Sequence, residues 1–572
     1  MKVFHQFSFF CLLLLLSLSA CKQSIPNSNY KIQQTATSSK AMVVSAHPLA
    51  SKVGTDILKM GGNAVDATIA VQFALAVTYP RAGNIGGGGF MLIRQNDGTV
   101  SSLDYREKAP SRATRDMYLD SLGNVIAGLS QRGPLAVGVP GSVDGLITAH
   151  QKYGKLKDFK VLIEPAIQLA EQGFGITKME ADRLNKFKAD FQKFNEATIP
   201  FLKATPWKAG DQLLQKELAA TLRLIRDQGR AGFYEGVTAE KIVKEMESNN
   251  GIISLQDLKN YQSKWRAAIT VPYKDYTVYS MPPPSSGGVA LAQLLKIVEA
   301  APLQEWGFHA TNTTHLMVEA ERRVYADRAQ HLGDMDFYPV PTDSLLHQDY
   351  LQARMKNFSD QQASESEAIL AGKFEVQLES FETTHTSVVD EAGNAVSVTT
   401  TLNSNYGSKV VVDGAGFFLN NEMDDFSAKP GVPNQFGLIG AEANAIQPEK
   451  RMLSSMTPTI VTKKDKVFLV LGTPGGSTII TSVFQVFLNV AEFGMSLEEA
   501  VNAKRFHHQW LPDEIMYEVG AFDEATIKDL KAMGHQFNEK KYIGLVKAIQ
   551  VSADGKMIGV GDARSEDHAA GL

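Results

Sequence analysis

A short apolar run followed by apolar residues at i, i+3 and i+4 opens AMVVSAHPLASKVGTDILKMGGNAVDATIAVQFALAVTYP (41–80), which predicts a brief strand and two helices. In GFMLIRQNDGTVSSLDYRE (89–107) two apolar stretches flank Asn96-Asp97-Gly98, the signature of a hairpin turn. Helical spacing with many charges returns in KDFKVLIEPAIQLAEQ (157–172) and QKELAATLRLIRDQ (215–228). MPPPSSGG (281–288) then interrupts the chain before another helix, VALAQLLKIVEA. From Thr383 the period changes. TTHTSVVDEAGNAVSVTTTLN (383–403) alternates as two strands around Asp390–Asn394. KVFLVLGTPGGSTIITSVFQVFLNVAEF (466–493) reads as a buried strand, a glycine-rich corner and a long helix. These elements predict an α+β fold with helices outside central sheets, and no linker splits the body.

Composition narrows the class. With 44% hydrophobic and 21% charged residues over 572 positions, the chain is an ordinary globular protein with a large core. A net charge of -5 argues against nucleic acid as a partner, since phosphate binding needs a basic face. Both cysteines, Cys11 and Cys21, lie in the first 21 residues, so the body holds no disulfide and no thiolate metal site. The opening MKVFHQFSFFCLLLLLSLSACKQS has a lysine, an apolar run and small residues, as a signal peptide does, and is too short for a membrane span. Its end, LSAC, resembles a bacterial lipobox and makes 1–21 a lipoprotein signal with Cys21 as the lipidated first residue; simple secretion after Ala20 is the alternative. Residues 22–40 are polar and aperiodic and read as a tether between membrane and domain. Ser28 and Lys31 match Ser-x-x-Lys by chance, since a tether cannot preorganise a site.

The chemistry centres on the threonines. Thr is a good strand former, so a row of them on a sheet requires no catalytic role. A hydroxyl becomes a nucleophile only when a base removes its proton. No GxSxG, HExxH, CxxC or GxxxxGK[ST] is present. His385 lacks an evident orienting acid, and His507-His508 read as packed or surface residues. Cleavage before Thr383 would supply a base directly, because the new α-amino group, with a pKa of about 7.7–8.0, lies beside its own hydroxyl. Gly475 and Gly476 in GTPGGS stand where a strand meets a helix and can offer amides to an oxyanion. In NNEMDDFS, Glu422 and Asp425 are spaced to bracket an ammonium group. Arg106 in LDYREKAP, with Ser454-Ser455 in RMLSSMTP, suits a carboxylate. Each element alone has an unremarkable structural reading. One ligand connects them: an amino-acid head group with ammonium and carboxylate held separately.

TTHTSVVDEAGNAVSVTTTLN, NNEMDDFSAKPGVPN, SSMTPTIV, GTPGGS and FHHQWLPDE, with GNIGGGGFM, LDYRE and MPPPSSGG before them, closely resemble the γ-glutamyltranspeptidase family, in order from about Ala41 to the C-terminus. The resemblance implies a four-layer αββα N-terminal-nucleophile hydrolase that uses no cofactor or metal. It implies a proenzyme that cuts itself between Glu382 and Thr383 into a large subunit, 41–382, and a small one, 383–572, which stay together as a heterodimer in one compact domain. Thr383 would attack the γ-glutamyl carbonyl of glutathione or a related compound, and water or an acceptor amine would resolve the acyl-enzyme. Thr401 would support Thr383. Asn403, Glu422 and Asp425 would hold the α-amino group, Arg106, Ser454 and Ser455 the α-carboxylate, and Gly475 and Gly476 the oxyanion. Some relatives carry Gln where Glu422 stands. PGVPNQFGLIGA (430–441) matches a lid loop, and some relatives have Tyr at the position of Phe436, so a lid hydroxyl contact to Asn403 is absent here. The expected location is the bacterial cell envelope, through the lipid anchor. A cephalosporin-type acylase or polyglutamate-processing relative on the same scaffold is the competing reading. A lipid-anchored binding protein without turnover is disfavoured, because a binder needs no nucleophile.

Overall fold

The computed structural model describes residues 30–370 and 383–572. Two seven-stranded sheets lie at its centre. The first is ordered Thr35–Ser38, Met557–Gly561, Lys547–Val551, Lys466–Gly472, Thr459–Lys463, Tyr276–Ser280, Ile269–Tyr273. The second is ordered His568–Gly571, Met42–Ser45, Thr384–Val389, Ala395–Thr401, Gly88–Arg94, Val100–Tyr105, Lys264–Arg266, and its pairs are all antiparallel. Helices Pro48–Lys59 and Ala64–Thr78 cover the outer face of the second sheet, while Gly287–Val298 and Ile479–Ala491 cover that of the first. The result is helix, sheet, sheet, helix, the four layers that the family resemblance implies.

The strands around Thr383 alternate, but neither face reaches water. Val388, Val396 and Val398 join the helix-side core, while Val389 and Ala395 meet Met42, Leu92, Ile460 and Val470 between the sheets. The polar residues on that inner face are satisfied across the gap. Ser397 Oγ donates to Leu471 O at 3.1 Å and accepts the Thr459 amide at 3.0 Å. His385 bonds Thr399 Oγ at 2.9 Å and Ser387 Oγ at 3.1 Å. Hydrogen bonds of this kind make it possible to bury a threonine- and serine-rich face.

One boundary differs from expectation. The tether read over 22–40 overruns its end, because Thr35–Ser38 is an edge strand paired antiparallel with Met557–Gly561. Its alternation turns Ala36 into the inter-sheet core, and Gln33 and Gln34 continue the pairing by accepting the amides of Ala569 and Gly561. A polar four-residue strand carries almost no periodic signal; the waiting sheet edge decides its conformation.

Candidate active site

Thr384 pairs with Thr400 in the antiparallel ladder, which places Thr383 and Thr401 together at its end, on the face turned toward the other sheet. Both line a cavity of about 500 Å³, mouth included, together with Arg106, Asn403, Glu422, Asp425, Ser454, Ser455 and Gly476. Of the residues singled out from the sequence, Gly475 flanks this lining through Gly476, whereas Glu382 and Cys21 lie outside the described residues. Thr401 Oγ accepts the Asn403 amide at 2.7 Å, and Asn403 stands at φ 73°, a left-handed backbone that Asn tolerates.

Arg106 leaves the strand Val100–Tyr105 and reaches Glu422 and Asp425, which ride on one short 3-10 turn. Nη1 meets Glu422 and Nη2 meets Asp425, each at 2.5 Å, while Nε and Nη2 donate to Met452 O and Leu453 O at 3.3 Å. The sequence assigned Arg106 and the two acids to opposite charges of a ligand; the fold brings them into one cluster. Glu107 is the cluster's third acid, 3.7 Å from Arg106 and fully buried. Burial pushes Glu107 up to about 8, takes Glu422 well above its ordinary value and raises Asp425 as well, against the pull of Arg106. Burial works against the Arg106 charge too, but the acids outweigh it and raise its pKa. One guanidinium thus opposes, without cancelling, the desolvation of three carboxylates.

The pair Ser454-Ser455 is held by MPPPSSGG, which the sequence marked as a helix breaker and as one motif of the family resemblance. Ser454 N donates to Pro284 O at 2.9 Å, and Ser454 O accepts from Ser286 N at 2.8 Å and Ser286 Oγ at 2.7 Å. Sequence reasoning also missed Arg328, which lines the cavity from the helix Thr311–His331. Its charge-rich pattern reads as solvated, yet Thr313–Ala329 is buried throughout. Gly475 and Gly476 have φ 147° and 52°, backbones that favour glycine, and turn the chain from Lys466–Gly472 toward Ile479–Ala491. A Cβ on Gly476 would stand 2.7 Å from the Phe436 ring. Phe436 is buried, and its loop is pinned from below: Asn434 Nδ2 donates to Asp425 at 3.2 Å and the Gln435 amide to Asp424 at 3.0 Å. Packing on Gly476, together with these bonds, thus holds the loop without a Tyr hydroxyl.

Among the described residues the cavity lining contains no histidine and no lysine. Burial lowers His385 well below its ordinary value, and takes His507 to about 3 and His508 to about 4, so all three are packed neutral residues. His315, Glu319 and His535 cluster elsewhere, but Glu319 is already paired with Arg322 at 3.2 Å and Arg323 at 2.6 Å, and two cations there oppose a metal ion.

The Gamma-glutamyltranspeptidase family model matches residues 50–572. A glutathione hydrolase proenzyme of Escherichia coli (strain K12) is 47% identical over 530 residues, covering 92% of this chain and 91% of the relative. The crystal structure of a cephalosporin acylase from Bacillus halodurans matches with a TM-score of 0.81 at 25% identity, over 96% of this chain and 98% of that one. That of a γ-glutamyltranspeptidase from Helicobacter pylori matches with a TM-score of 0.56 at 42% identity, over 60% of this chain and 97% of that one.

Proposed function

The chain belongs to the γ-glutamyltranspeptidase family, and from that premise we propose that Thr383 forms a γ-glutamyl-enzyme from glutathione and related γ-glutamyl amides. The enzyme is a self-processing hydrolase and acyltransferase. The observation that carries the site assignment is the cavity shared by Thr383, the cluster of Arg106 with Glu422 and Asp425, and the pair Ser454-Ser455. In self-cleavage, Thr383 Oγ attacks the carbonyl of Glu382; the peptide nitrogen leaves as the free α-amine and water hydrolyses the ester. The amine then takes the Oγ proton as the hydroxyl attacks the γ-carbonyl of substrate. Amides of Gly475 and Gly476 stabilise the oxyanion, the amine product departs with the proton, and water or an acceptor amine releases the glutamyl group. Glu422 and Asp425, with Asn403, take the α-ammonium; Arg106, Ser454 and Ser455 take the α-carboxylate. Thr401 supports the nucleophile.

The residues on either side of the cut share both sheets. Met42–Ser45 lies between His568–Gly571 and Thr384–Val389, so the two fragments remain one body after processing. Incubation with glutathione should release glutamate, and adding a dipeptide acceptor should divert glutamyl groups into a γ-glutamyl peptide seen by mass spectrometry. Absence of both products would overturn the assignment.

We also place the enzyme at the bacterial cell envelope through a lipid on Cys21. The support is the apolar run ending in LSAC; among the described residues no helix is long and apolar enough to cross a membrane. Metabolic labelling with a fatty-acid analogue should mark the wild type and leave Cys21→Ser unmarked. Equal labelling of the two removes the anchor and leaves the catalytic assignment intact.

A further inference from the structure

Arg328 is 4% exposed, yet among the described residues it forms no ion pair with a carboxylate. Its Nε donates to Ser286 Oγ at 2.9 Å and its Nη2 to Ser455 Oγ at 3.0 Å, which uses two of a guanidinium's five donors on neutral hydroxyls. Burial lowers its pKa to about 10, so it remains charged at neutral pH. Asp425 acts on it through space without a direct ion pair, so this desolvated cation beside a ligand cavity keeps donors for an incoming anion. Arg106 is differently placed. Nε and both Nη nitrogens already carry partners, and its charge is matched by Glu422 and Asp425.

We propose that Arg328 is a second cation of the α-carboxylate subsite, a specificity-determining residue that acts beside Ser455. The inference rests on the γ-glutamyl reading of the cavity. Ser455 Oγ accepts from Arg328, so its own proton is directed away from the guanidinium and is available to a ligand oxygen in the cavity that both residues line. The charge balance agrees: Arg106, Glu422 and Asp425 sum to -1 when ionised, and Arg328 brings the set to zero, matching a zwitterionic head group. Without Arg328 an incoming carboxylate meets a net negative wall. These four are the charged residues of the lining; behind it lie the acids Glu107 and Asp424, which burial raises to about 8 and about 6. Ser286 anchors the arrangement, because it passes its proton to Ser454 O and accepts from Arg328.

The test compares γ-glutamyl-4-nitroanilide with 4-aminobutanoyl-4-nitroanilide, which keeps the ammonium and lacks the carboxylate. Arg328→Gln should lose roughly 10- to 100-fold in kcat/KM on the γ-glutamyl substrate, mostly through KM, and stay within about twofold on the other. Arg328→Lys, which keeps the charge without the fork, should recover part of the loss. Competitive inhibition gives a readout independent of turnover: the Ki of glutamate should rise in Arg328→Gln and that of 4-aminobutanoate should not. Self-cleavage and the melting temperature report folding. Equal losses on both anilides, or no loss on either, would overturn the role of Arg328. A wild type that does not distinguish the two anilides would instead overturn the glutamyl pocket itself.

Discussion

Thr383→Ala should remain a single chain and show no measurable turnover, while the wild type yields a fragment whose mass corresponds to Thr383–Leu572. The nitrogen of an internal threonine is an amide, and an amide is no base. The cavity offers no substitute: among the described residues it contains neither histidine nor lysine, and its acids are engaged with Arg106. His385, two residues along the strand, is locked between Thr399 and Ser387 and resists protonation through burial. The hydroxyl that makes the cut and the amine that the cut sets free as a base for acyl transfer therefore both belong to Thr383. Removing the hydroxyl eliminates processing and acyl transfer together, a loss on the order of 10⁴-fold or more for a group of this kind. Thr383→Ser keeps the hydroxyl and should still be processed. A Thr383→Ala chain that is cut at the same bond would assign the cleavage to an outside protease.

How far the sequence foretells this site depends on the range of the signal. The strands Thr384–Val389 and Ala395–Thr401 are legible because period-two alternation is local, and the hairpin of Gly88–Arg94 with Val100–Tyr105 is legible from its turn. Burial of their polar face is not. Ser397 and Ser387 look solvated until a second sheet supplies the carbonyls of Leu471 and Lys547. Thr35–Ser38 is illegible for the same reason, since its partner edge lies more than 500 residues away. The candidate residues were found through motif resemblance, whereas their grouping is a tertiary fact: Arg106 and Glu422 are 316 positions apart. Arg328 shows the limit best. In a helix containing EAERRVYADRAQH, one charge looks like any other, and only the buried environment separates it from a solvated face.

Removing the carboxylate of Asp425 should lower kcat/KM on a γ-glutamyl anilide by roughly 30- to 5000-fold, the equivalent of about 2–5 kcal/mol for losing one partner of a desolvated ion pair. Asp425→Asn is the informative substitution, because it keeps the shape and the hydrogen bond from Asn434 that pins the lid. Arg106→Ala should cost at least as much activity and should also destabilise the protein. It strands Glu422 and Asp425, buried at 0% and 13% side-chain exposure, without their shared cation. Melting temperature separates the two: a clear drop for Arg106→Ala, little change for Asp425→Asn. Both variants should still self-cleave, since that step involves Thr383 and Glu382 rather than the head-group pocket. A glutaryl anilide, which keeps the carboxylate and lacks the ammonium, is the control. Wild type should use it poorly, and Asp425→Asn should make it no worse, because the charge it removes has no ligand to meet. If wild type instead cleaves glutaryl and γ-glutamyl anilides equally well, the acids do not read an ammonium group, and an acylase acting on the same scaffold takes the place of the glutamyl enzyme.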